Sequence, residues 1–448
     1  MDQLPIELRR QILAHLDLPS IKSFRITSHA NAIIGEDYLL TPTFNTLLHR
    51  DDFSRLLYLS QCPKYSYRIT TLNINFAELN EFHARHNAYF LQFMRVPEDR
   101  EQLRDETWST YFKMKTQKEE FARNVCDPGL LKGAFSKLEN LRSIAVTLAA
   151  CPFPSELLQQ VWRIPSSRAL HRVLNTERFT SILSALASTS PILPITSISH
   201  DRLPFEFFAQ GMSLLSSIID PVFRGLKKLS LSLDYSEMPN NGHREQAFSA
   251  LARCLRCASG LEVLNLSILG RAKTDISPLI RDFVYGSAAA DSVEILDLVD
   301  AAIKESSLEQ CEPDDQPPTT YDLVQGNSDA NRDCPLPHLR SLTLSSISTT
   351  SSLLTSFILL FSSTLERLEI GTIGVIAPHQ PPNGGIVLTE GSFKSLFNAI
   401  RREATALEPE DEWRGFWLGG DLVAEESGEM WKLDQRILQS DLETIYKG

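Results

Sequence analysis

One apolar spacing recurs along this chain of 448 residues. It reads apolar-x-x-apolar-x-apolar. It occurs at Ile69-Leu72-Ile74, Leu141-Ile144-Val146, Leu226-Leu229-Leu231, Leu261-Leu264-Leu266, Val293-Leu296-Leu298, Leu339-Leu342-Leu344 and Leu365-Leu368-Ile370. The last two apolar positions alternate as in a strand with one buried face. Apolar helical stretches, FTSILSALAS, FSALARCLRCAS and LLTSFILLFSS, lie between units, and the last two run directly into a strand. A helix, a short loop and a strand repeated in this way predict an irregular α/β solenoid. A handful of buried strands in another α/β fold would give the same local pattern. From residue 226 onward the units start 26 to 46 residues apart. The wider gaps before it leave room for further units, and PITSISHDRLPFEFF at 194–208 is a candidate.

In a solenoid the strand residues between the apolar positions face the concave side, the usual binding surface of such folds. Asn73, Lys228, Ser230, Asn265, Asp297, Thr343, Arg367 and Glu369 are therefore candidate substrate contacts. Each of them singly also fits a merely solvated sheet face. Residues 304–338 are acidic, rich in Pro and Ser and without apolar periodicity, which predicts a disordered insertion; APHQPPNGG at 377–385 reads as a shorter one.

The first thirty residues follow a different rule. Leu4, Leu8, Ile12 and Leu16 recur four apart, which predicts a helix with one apolar stripe. Pro5 suits the first helical turn, and Glu7 suits the positive end of the helix dipole. Asp17-Leu18-Pro19-Ser20 ends this helix, and a second starts at Pro19 or Ser20 with Ile21 and Phe24 on its apolar side. So short a stretch is a poor independent core and wants a partner surface. The pattern alone also fits a helical hairpin packed on the rest of the chain.

LPIELRRQILAHLDLPSIKSFRITSH resembles the F-box. Leu4, Pro5, Glu7, Leu8, Ile12, Leu13, Leu16, Asp17, Ile21, Phe24 and Arg25 match the family pattern. The match runs out after Arg25. Thr27, Ser28 and His29 stand where many members carry Val-Cys, no Trp follows nearby, and no third helix is read from the motif. The next segment, SRLLYLSQCPKYSYRITTLNI, is similar to the helix-Pro-strand link of many fungal F-box proteins with divergent leucine-rich repeats. The resemblance implies an α/β chain: all-α F-box helices over 1–48, a helical linker and first strand over 49–125, and an irregular leucine-rich-repeat-like solenoid over 126–448. It also implies a role. The F-box helices would insert into a Skp-family linker subunit on a cullin, and the solenoid would capture a protein substrate for ubiquitination. Leu4, Pro5, Ile12, Leu16 and Ile21 are the expected Skp-family contacts, while Leu8 and Leu13 fit either that interface or the inside of the F-box.

Other chemistries find little support in the residues. A net charge of −12 repels phosphate backbones, so nucleic acid is not an expected partner. The strongest apolar run, Leu353 to Phe361, is too short for a membrane span and reads as a buried helix. The seven scattered cysteines and the absence of an apolar leader fit a reducing compartment, cytoplasmic or nuclear. Cys254 and Cys257 have metal-ligand spacing but lack a second pair, so core packing is expected and no metal or other cofactor. The Asn265 sequon sits in an expected buried strand. His83 and His86 read as surface residues of a polar helix. Glu408, Glu410, Asp411 and Glu412 beside Trp413 and Trp417 read as a solvated loop before a last strand. No catalytic residue is expected.

Overall fold

The structure, a computed structural model, describes residues 4–39, 41–84, 100–236, 241–269, 274–285, 334–370 and 386–391. It also describes 396, 399–400, 402, 416–418 and 421–424. The Val293 unit with Asp297, nearly all of 304–338, the 377–385 loop, His86 and the 408–413 cluster lie outside the described residues.

The fold is α/β, built on parallel strands. The chain forms two compact units: Met1–Pro204 with Ser217–Ser232, and Phe205–Ser216 with Leu233–Gly448. In the first, helices α1 (Ile6–Ala14), α2 (Leu18–Arg25) and α3 (His29–Glu36) precede strand β1 (Thr43–Leu47). Then come α4 (Asp52–Ser60), α5 (Pro63–Ser66), β2 (Thr71–Asn75), β3 (Glu78–Leu79) and α6 (Glu81–Ala84). A long helix α7 (Arg100–Phe121), α8 (Pro128–Phe135), β4 (Ser143–Thr147) and α9 (Glu156–Trp162) follow. After them come β5 (Arg168–Ala169), α10 (Arg172–Ala187) and β6 (Ser197–Pro204). Strand β7 (Lys228–Asp234) hydrogen-bonds to β6.

Strands β1, β2, β4 and β6 run parallel in matched register: Phe44 against Leu72, Leu72 against Ile144, Ile144 against Ile198. One level further, Thr46, Ile74, Val146 and His200 align. All eight side chains are buried. Helices α4, α8 and α10 pack in a row, with α4 against β1 and α10 against β6. The approach within that row is tight: a Cβ on Gly133 would lie 3.0 Å from Leu57 Cδ1.

The strands share a backbone device at their starts. The Pro42 carbonyl accepts from the N–H groups of both Thr70 and Thr71 (3.0 and 3.1 Å). The Thr70 carbonyl accepts from Arg142 and Ser143, that of Arg142 from Thr196 and Ser197, and that of Thr196 from Lys227 and Lys228. Each entry turn is stacked on its predecessor, which satisfies backbone groups that a loop would otherwise leave to water.

The second unit repeats the device on its own strands. Among its elements are α12 (Asn241–Cys257), β8 (Val263–Leu269), β9 (Thr274–Asp275), α13 (Ser277–Tyr285), β10 (Ser341–Ser345), β11 (Ile347–Thr349), α14 (Ser351–Leu359) and β12 (Arg367–Ile370); the residues of α11 (Met212–Phe223) are divided between the units after Ser216. Parallel β8, β10 and β12 align Leu264, Leu342 and Leu368. The Glu262 carbonyl accepts from Arg340 and Ser341, and that of Arg340 from Glu366 and Arg367. Phe283, Phe357 and Phe361 meet with ring centroids 5.4 to 6.2 Å apart, a favourable aromatic spacing. Cys254 is buried in α12 and Cys257 half-buried beside it.

The sequence spacing thus located β2, β4, β7, β8, β10 and β12. It placed a candidate at 194–208, where β6 lies, and it did not single out β1. In the first wide gap, between β2 and β4, the described residues add no strand to this sheet; they hold α7 and α8.

Candidate functional site

The first three helices build a small core of their own. Leu13, Ile21, Phe24 and Ile34 are buried together, with Leu16, Tyr38 and Leu39 packed against them. Pro5 stands at the N-cap of α1, one position before the first turn, and its carbonyl accepts from the Arg9 N–H at 3.1 Å. Asp17 caps α2 by accepting from the Ser20 N–H at 3.0 Å, and this hydrogen bonding holds its carboxyl below the usual range. Ser28 caps α3 by accepting from the Asn31 N–H.

Asn31, 1% exposed, pins the bundle together. Its Oδ1 accepts from Arg9 Nη1 at 3.0 Å, and its Nδ2 donates to Thr27 Oγ1 at 2.9 Å. Arg25 Nε donates to the Ala32 carbonyl. A Cβ on Gly35 would fall 2.5 Å from Arg25 Cγ, so glycine is what lets α2 and α3 close. Glu36 meets Lys64 at 2.6 Å and Asp37 meets Arg68, fastening the end of α3 to the α5 region. The Glu36 carboxyl is held down by its hydrogen bond to Lys64.

This arrangement sorts the expected contact residues. Pro5 is exposed, and Leu4 and Ile12 are half-buried. Leu16 packs against the small core, and Ile21, 5% exposed, lies within it. Ile21 thus contributes to the inside of the bundle. Leu8, left open between inside and outside, is 45% exposed, whereas Leu13 is 1% exposed. The cause is geometric. A stripe spaced four apart on a helix of 3.6 residues per turn advances about 40° per step. Within α1 it turns from exposed Leu8 to half-buried Ile12, and Leu4 and Leu16 lie outside this helix. Ile6, Leu18, Ile26 and Ile33 are also exposed and were not singled out by spacing.

The strand candidates lie away from the buried positions. Asn73 is half-buried, and its Nδ2 donates to Asn45 Oδ1 of the neighbouring strand at 3.0 Å. In the first unit Thr43, Thr71, Ser143 and Ser197 align, as do Asn45, Asn73, Ala145 and Ser199. This is a face of short uncharged side chains, with exposed Lys228 and half-buried Ser230 on β7. In the second unit Asn265, Thr343 and Glu369 align, and Thr343 donates to Glu369 at 3.3 Å. Arg367 is exposed beside them.

Among the described residues, no group of three or more His, Cys, Asp or Glu could hold a metal ion, and no helix is long and apolar enough to cross a membrane. No protein-family model matches the chain, and no curated protein matches it.

Proposed function

We propose that this chain is a substrate-recruiting adaptor of an SCF-type ubiquitin ligase, with α1–α3 as an F-box that docks on a Skp-family linker subunit and through it on a cullin. One observation carries the reading. The three helices satisfy their own core with Leu13, Ile21, Phe24 and Ile34 while leaving Pro5, Ile6, Leu8 and Leu18 at the surface. An amphipathic helix with outward apolar anchors is the usual ligand of a hydrophobic groove on a partner.

The strands form an irregular leucine-rich-repeat-like solenoid in this reading. Its supports are the parallel register, the stacked entry turns and the row of helices on one face. The polar strand face then recruits the protein substrate. The chain makes and breaks no bonds; it raises the effective concentration of substrate lysines near a charged ubiquitin carrier. Such an adaptor works in the cytoplasm or nucleus.

Affinity purification of the full chain and of a chain lacking residues 1–48, read by mass spectrometry, tests this. A Skp-family subunit and a cullin should accompany the full chain alone. Recovery of the Skp-family subunit without any cullin, with substrate lifetimes unchanged, would mark a scaffolding protein that uses the same contact.

A further inference from the structure

The bundle α1–α3 is a body of its own within the first unit. Its core is Leu13, Ile21, Phe24 and Ile34, with Leu16, Tyr38 and Leu39 against them. Among the described residues, none from the strands or from the helices after β1 enters that core. A body that buries its own apolar side chains keeps its fold when its outer contacts open.

Charge fastens this body to the strands. Helix α3 ends at Glu36, with Asp37 as its C-cap, and the segment from α5 to β2 brings Lys64, Tyr65 and Arg68 to that end. Glu36 Oε2 lies 2.6 Å from Lys64 Nζ, and its Oε1 accepts from Tyr65 Oη at 3.4 Å. Arg68 donates through Nη1 to the Asp37 carbonyl and through Nη2 to the Asp37 carboxylate. The negative end of the α3 dipole favours both cations there. Arg68 is also held from its own side, since Nε donates to Tyr67 Oη at 3.0 Å.

The two pairs differ in solvent access. The Lys64 side chain is 52% exposed and that of Arg68 only 15%. The first is an ordinary surface pair, weak and screened by salt, and the second is a pin that water reaches poorly. Strand β1 is fixed separately, because the Pro42 carbonyl accepts from Thr70 and Thr71. The strands therefore keep their register whether the charged contact is closed or open.

We propose that Glu36, Asp37, Lys64 and Arg68 form a charge-controlled joint that sets the direction of α1–α3 on the strands, and that opening it frees the bundle to reorient as one folded body. The joint exists without any docked partner. Its consequence rests on the docking reading: with a linker subunit on α1, the joint sets where a captured substrate stands relative to the ubiquitin carrier.

The test uses the full chain alone. Ketone-bearing residues replace Ile26, 87% exposed on the bundle, and Tyr58, 66% exposed on α4. Spin labels attached to them leave the native cysteines untouched, and pulsed dipolar spectroscopy reads the distance between the labels. The parent chain should show one dominant distance, with an open population of at most about 10%. Lys64→Glu and Arg68→Gln should each raise that population about threefold or more, with cooperative melting retained. Glu36→Lys combined with Lys64→Glu rebuilds the pair in reverse and should restore the parent distribution, which a damaged fold would not do. An unchanged single distance in both single variants would overturn the proposal. A broad distribution in the parent chain would do so too, as would a reversed pair that fails to restore it. Leu8→Asp, which removes an expected docking contact, should leave the distribution as it is, so failure of the docking reading and failure of the joint are told apart.

Discussion

Arg9 Nη1 donates to Asn31 Oδ1 at 3.0 Å, and this bond joins α1 to α3 across 22 residues of sequence. Asn31 is buried, so its amide has no water as an alternative partner. It ties the outward stripe of α1 to a bundle whose far end is anchored on Lys64 and Arg68.

Asn31→Ala should therefore loosen α1 without touching its exposed residues. The expected cost is about 1–3 kcal/mol, the usual range for stranding buried hydrogen-bonding groups. Hydrogen exchange should show the α1 amides losing protection first.

Core and surface residues of the same bundle should separate cleanly. Leu13→Ala removes a side chain that is 1% exposed and should cost about 2–5 kcal/mol. Ile6→Ala, at a residue 40% exposed, should change stability by no more than about 0.5 kcal/mol. Denaturant titration of both variants checks this. Matching losses would mean that Ile6 is covered.

His200 makes the fold sensitive to acid. It occupies the buried level held by Ile74 and Val146 on neighbouring strands, and burial drives its imidazole down to about 3 from 6.5. Between those values the unfolded chain binds a proton that the folded chain refuses, so stability falls as pH drops through this window. His200→Val should raise the melting temperature at pH about 5 relative to the parent chain, with a much smaller difference at pH about 8. An equal shift at both pH values would contradict the buried neutral imidazole.

Glu78 works in the same protonation sense but at lower pH and through paired charge. Burial alone would raise its carboxyl, but the hydrogen bond from His171 and the charges of Lys118 and Arg178 outweigh burial and hold it at about 2 instead of 4.5. The stability it contributes is present above pH 4.5 and is lost as pH falls toward 2. Glu78→Gln leaves two cations facing an amide and should cost about 3 kcal/mol at neutral pH. That cost should shrink as the pH approaches 2, where the parent carboxyl is itself protonated. A cost independent of pH would mean that the residue acts by packing alone.

The fold was legible wherever leucine-like residues filled the repeating slots. Leu229, Leu264 and Leu342 announce their strands because the buried level tolerates little else. Strand β1 escaped the pattern because Thr46 fills an apolar slot, and β6 was only a suggestion because His200 does. Helix α3 carries no motif residue. Its signal was the Ser28 cap and the small Gly35, and neither is specific without knowing what Arg25 would strike. Spacing in fours did not show that Leu4 and Leu16 fall outside α1, nor which way Leu8 points, so these residues were sorted only by their neighbours. The ion-pair cluster around Glu78 was illegible, since Glu78, Lys118 and Arg178 meet from positions up to 100 residues apart.

The docking role comes down to whether the exposed side of α1 holds another polypeptide. Calorimetric titration of a purified Skp-family subunit into the full chain and into its Leu8→Asp variant measures this directly. Tight binding to the parent chain, weakened at least about tenfold by Leu8→Asp at unchanged melting temperature, is the predicted result. No binding to the parent chain, or equal binding to both, would contradict it.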